Sequence, residues 1–148
     1  MLQTIQTLAD IRGRCASQQP LTHAQCTLLA DSLDRYLSHD CTNLNEAFGI
    51  VNGRGGVAWW MERAIRNRDD ALRVLASNHL SDLSVYRQAK EIARLADRYA
   101  SLCWPRDREI DAMPDRYRDA PQEQLWAAFR SGAAMPISER RLRTILGD

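Results

Sequence analysis

Apolar positions recur at helical spacing along most of the chain. Leu2, Ile5, Leu8, Ile11 and Cys15 stand three or four residues apart and predict a helix over 2–18, weakened at Gly13 and stopped before Pro20. Thr22 and Gln25 form a capping box, and Leu21 is placed to staple onto Cys26, so a second helix runs to about Ser38. Its apolar face reads Cys26, Leu29, Leu33 and Leu37. Asn43 with Glu46 predicts a short helix that dies at Gly49. The run Asn52-Gly53-Arg54-Gly55-Gly56 is a loop.

The helical period resumes at Val57. Val57, Met61, Ala64, Ile65, Leu72, Leu75 and Ala76 share one face to about Asn78. Glu62–Arg66 and Asp69–Arg73 are i,i+4 pairs with the acid on the favourable N-terminal side. Ser81 or Ser84 caps the next helix, whose stripe is Val85, Ala89, Ile92, Ala96, Tyr99 and Cys103, ended by Pro105. Residues 105–120 are rich in Pro and charge and read as an ordered connector. Pro121 opens a helix with Asp119 or Ala120 as its cap, Leu125, Trp126, Ala128 and Phe129 as its apolar side, and Gly132 as its end. Ser138 caps a last helix, with Ile137 stapling to Leu142. In it Leu142, Ile145 and Leu146 face inward while Arg140, Arg141 and Arg143 face out.

No segment alternates with the period of a strand. The fold class expected is therefore all-α, a compact bundle of six or seven helices in one domain over 1–148. Its C-terminal hairpin, 121–148, has a helix-turn-helix-like form. Composition supports this, with 19 Ala and 17 Leu against 12 Val plus Ile.

Charge narrows the functional classes. The chain has 19 Arg and one lysine, Lys90, yet its net charge is only +1 because 19 acids offset them. That excludes a strongly basic coat over the whole chain. The longest apolar run, Val57 to Met61, is too short to cross a bilayer. With no leader pattern or lipidation signal, a cytoplasmic protein without a membrane partner is expected. Cys15, Cys26, Cys41 and Cys103 show no Cys-x-x-Cys spacing and are expected as reduced thiols.

Four features carry candidate chemistry. In the last helix Arg140, Arg141, Arg143 and Thr144 suit phosphate and guanine contacts, although a standard helix-turn-helix turn is shorter than residues 132–137. The glycine loop offers bare N–H groups and Arg54 ahead of a helix start, an anion-binding arrangement. Trp59 and Trp60 point about 100° apart on a helix, so at least one leaves the main stripe; beside Arg63 and Arg66 it would suit a protein contact. His23 with Cys26 and His39 with Cys41 are two pairs of metal-ligand type. Neither matches structural zinc spacing, and Cys26 fits the buried staple position, so no metal is expected. No acid pair, Ser/His/Asp set or cofactor loop is visible, so no catalytic residue, enzyme activity or cofactor is expected.

Three segments together resemble a known kind of protein: GRGGVAWWMERAIRNRDDALRVLA, RLADRYASLCWPRDR and LWAAFRSGAAMPISERRLRTIL. Across about residues 44–146 they are similar to small Arg-rich helical proteins of proteobacterial genomes, found in prophage and other mobile regions. The resemblance implies a bacterial, cytoplasmic, non-enzymatic accessory role and assigns no catalytic residue. The leading expectation is a binding protein for nucleic acid. The alternative is a protein-interaction module, either a homo-oligomer or a phage-type inhibitor of a host protein.

Overall fold

Four helix starts are fixed by their own side chains. Thr22, Asn43, Ser84 and Ser138 each accept a hydrogen bond from the backbone N–H three residues on. The computed structural model describes residues 2–51, 56–136 and 138–147. Among them are α1 (Leu2–Ala16), α2 (His23–Leu37), α3 (Leu44–Ala47), α4 (Trp59–His79), α5 (Val85–Leu102), α6 (Trp104–Asp107), α7 (Pro121–Arg130) and α8 (Glu139–Leu146), with one 3-10 turn at Asp115–Tyr117. The described residues are all-helical with no strand, as the apolar periods predict. The helix beyond those predicted is α6. The chain divides into two compact units, Met1–Trp60 and Met61–Asp148.

In the first unit, Ile5, Ile11, Cys41 and Ala47 are buried together with the polar Gln25 and Ser32. This corrects the predicted face of α2. Cys26 is exposed rather than stapled, and Leu33 and Leu37 are 44% and 71% exposed. The reason is the amide of Gln25. Its Oε1 accepts the Thr22 N–H at 2.9 Å, and its Nε2 donates to Asp10 Oδ2 of α1 at 2.5 Å. A satisfied amide tolerates burial, so the Gln25–Ser32 side of α2 turns inward. Arg35 donates to the Ala47 carbonyl at 3.0 Å and holds α3 against α2.

In the second unit a single core joins Leu72, Leu75 and Ala76 of α4, Ala89, Ile92 and Tyr99 of α5, Leu125 and Ala128 of α7, and Leu142 and Ile145 of α8. The α5 stripe follows the predicted register. On α4 the predicted face holds from Leu72 onward, while Val57, just ahead of the helix, and Met61 are exposed and the charged Arg68 is buried among its apolar neighbours. Arg68 brings its own counter-ion, binding Asp69 Oδ1 through Nε at 2.8 Å and a terminal nitrogen at 2.6 Å. That removes Asp69 from the predicted pair with Arg73, which binds Asp70 at 2.7 Å instead. The Glu62–Arg66 pair forms as predicted, at 3.1 Å.

Residues 105–120 are held more tightly than a surface connector. Asp107 is fully buried. Its Oδ2 accepts from the Tyr99 hydroxyl at 2.9 Å and the Tyr117 hydroxyl at 2.6 Å. Arg106 and Arg116 approach its other oxygen at 3.4 and 3.6 Å. Around this charge Tyr99 packs on Trp104, Tyr117 and Phe129, with ring centroids 5.2 to 6.4 Å apart. Burial would push the Asp107 carboxyl up, but hydrogen bonds from Tyr117, Tyr99 and Arg106 outweigh it and hold it below the usual carboxylate range. Burial and the bond to Asp107 together raise the Tyr99 and Tyr117 hydroxyls.

Replacing Asp107 with Ala leaves two buried tyrosine hydroxyls without their acceptor. An expected cost of roughly 2–5 kcal/mol follows, read by denaturant unfolding. Asp107 binds its proton less readily folded than unfolded. Its contribution is therefore complete above the ordinary carboxylate range and is lost as pH falls below about 4. The acid-unfolding arm of the native protein should weaken in Asp107→Asn.

Candidate nucleic-acid interface

The last helix is short, and its placement is specified at both ends. Ser138 Oγ accepts the Arg141 N–H at 3.3 Å at the start, and Gly147 closes the end with φ of 101°, a left-handed conformation natural to glycine. Leu142 and Ile145 are buried, and α8 packs chiefly on α5. Two arginines of α4 hold the backbone ahead of the helix and in its final turn. Arg68 donates to the Ala134 carbonyl before the helix, and Arg73 Nε donates to the Ile145 carbonyl at its end at 2.9 Å.

With Leu142 and Ile145 inward, the helical period turns Arg140, Arg141 and Thr144 outward, and all three are exposed. Neither Arg140 nor Arg141 makes an ion pair with a described residue. The Thr144 hydroxyl donates to the Arg140 carbonyl at 3.2 Å, leaving its oxygen lone pairs facing water. Arg143 lies at the flank, half-buried. The structure thus brings Arg140, Arg141 and Thr144 to one face and sets Arg143 at its edge. Arg54 and the predicted Ile137 staple lie outside the described residues.

Beside the start of α8, a hollow of about 510 Å³ opens along α5. Arg87, Lys90 and Arg94 line it, but so do Glu91, Asp97 and Glu139. Arg94 is bound to Glu91 at 2.9 and 2.5 Å. The hollow is charge-balanced, whereas Arg140 and Arg141 on the outer face of α8 have no acidic partner among the described residues.

The other candidates sit elsewhere. Trp60 is 61% exposed and meets the half-buried Trp59 edge-on, with centroids 5.8 Å apart. These two tryptophans close the first unit, while the exposed Arg63 and Arg66 belong to the second, and Arg66 is engaged by Glu62. His23, Cys26 and His39 are exposed and Cys41 is buried. Among the described residues, no group of three or more His, Cys, Asp or Glu side chains is placed to hold a metal ion. No described helix is long and apolar enough to cross a membrane.

Sequence reasoning did not single out Arg68 or Asp107, and it paired Arg73 with Asp69 rather than with the Ile145 carbonyl; these charged residues hold this unit in shape. Each acts on a partner that a helical period does not reveal. No family model, curated protein or solved structure matches the chain.

If the outer arginines serve a ligand rather than the fold, their loss leaves stability intact. Arg140→Ala and Arg141→Ala should each change unfolding free energy by less than about 0.5 kcal/mol. Leu142→Ala, emptying a fully buried site, should cost about 2–5 kcal/mol. Chemical denaturation of the three variants separates the two classes.

Proposed function

We propose that the chain works by binding rather than catalysis, and that its ligand is nucleic acid, engaged by Arg140, Arg141 and Thr144 with Arg143 at their edge. The observation that carries this reading is the outer face of α8, where two exposed guanidinium groups have no acidic partner among the described residues. Guanidinium forks suit phosphate oxygens and the guanine edge, and a helix start favours a nearby phosphate. The face is small. Eight residues span about 12 Å, enough for two or three phosphates. Binding is therefore modest and strongly salt-dependent. A near-neutral chain with one local basic face suits the accessory or regulatory role implied by the family resemblance.

A second reading rests on Trp60. An exposed tryptophan is the residue type most enriched at protein-binding hot spots. It points to a protein partner at the end of the first unit.

Fluorescence anisotropy with mixed-sequence duplex DNA separates the two. The native chain should bind at about 50 mM salt and weaken steeply by about 200 mM. The double variant Arg140→Ala/Arg141→Ala should lower the slope of log affinity against log salt by about 2, roughly 0.9 for each phosphate no longer neutralised. Trp60→Ala should leave DNA binding unchanged. Absence of binding at low salt, or a slope unmoved by the double variant, overturns the nucleic-acid reading.

A further inference from the structure

The outward side of α2 carries an apolar seam. Cys26, Ala30, Leu33 and Leu37 are all exposed and stand four, three and four residues apart. At 3.6 residues per turn they fall within an arc of roughly 60°. That spacing is the a/d seam of a two-helix pairing. The seam lies about a third of a turn from the buried Gln25–Ser32 side, so the contact with Asp10 leaves it open. The unit that bears it has a thin core, with Ile5, Ile11, Cys41 and Ala47 the buried apolar residues among those described. Units of about 60 residues are marginal without added burial.

We propose that α2 pairs, antiparallel, with α2 of a second copy of this chain along Cys26, Ala30, Leu33 and Leu37. The seam is self-complementary in that sense only. Its N-terminal half is small and its C-terminal half bulky. An antiparallel two-fold sets Leu37 of one copy over Cys26 of the other, and Leu33 over Ala30, so large meets small at every level. A parallel pair stacks leucine on leucine at one end and leaves a gap at the other. Charge agrees. A parallel pair brings the two exposed Asp34 carboxylates to one level, whereas the antiparallel pair separates them and opposes the helix dipoles. A seam about 16 Å long buries roughly half of the 800 Å² per partner that marks a standard stable interface. The dimer is therefore weak and concentration-dependent. This pairing is independent of α8 and its ligand.

The test uses the full chain. Sedimentation equilibrium from about 10 µM to about 1 mM, the range suited to an interface of this size, should show mass rising from monomer toward dimer. Leu33→Asp/Leu37→Asp should stay monomeric with unchanged helical circular dichroism, since both positions face water. In a Cys15→Ser background, Leu37→Cys under a mild oxidant should give a dimer whose cross-linked peptides join the new thiol of one copy to Cys26 of the other. A monomer at every concentration overturns the proposal and leaves the seam to another protein or to another part of this chain. Cross-links joining like positions, Cys26 to Cys26, overturn the antiparallel arrangement.

Discussion

A carboxylate taken out of water costs several kcal/mol unless its oxygens are satisfied, and the second unit is organised around one such group. Asp107 receives Tyr99 from α5, Tyr117 and Arg116 from the 3-10 turn, and Arg106 from its own helix. The two hydroxyls and two guanidinium groups come from three separate segments, so satisfying the charge fixes those segments relative to one another. Tyr99 then serves twice. Its hydroxyl holds the carboxylate, and its ring, 5.2 Å from that of Phe129, carries α7 onto the same cluster. Residues that look like a charged linker become part of the core by this route.

The same device recurs where α8 is held. Arg68 is buried with its own carboxylate partner and reaches the Ala134 carbonyl, and Arg73 reaches the Ile145 carbonyl. Guanidinium groups on α4 thus satisfy one backbone oxygen ahead of the last helix and one in its final turn. They leave Arg140 and Arg141 outside, with no structural task. The arginine excess divides accordingly into groups that hold the fold, groups paired with neighbouring acids, and exposed groups without an ion pair to a described residue, Arg140 and Arg141 on α8 and also Arg12, Arg63, Arg87 and Arg98 elsewhere.

How much was legible in the sequence depended on the distance to the partner. Caps at Thr22, Ser84 and Ser138 were readable because each bond closes within three residues. The α5 stripe and the outward face of α8 were readable because one period sorts inside from outside. The α2 face was not. Its orientation depends on a hydrogen bond that the Gln25 side-chain amide donates to Asp10, fifteen residues upstream, and an apolar stripe on one helix does not say which element covers it. Asp107 was hidden among alternating acids and arginines over 106–119, where no pattern marks the one that is buried. The bonds that place α8 span 66 and 72 residues and leave no local signal.

The most direct measurement is an ¹H–¹⁵N nuclear magnetic resonance titration of the full chain with mixed-sequence duplex DNA at low salt. The expected result is a set of progressive shifts concentrated on residues 139–147 and the arginine side chains of α8, with the amides of Tyr99, Asp107 and Tyr117 unmoved. Shifts that leave α8 untouched, or that centre on Trp60 instead, would contradict a nucleic-acid ligand on the last helix.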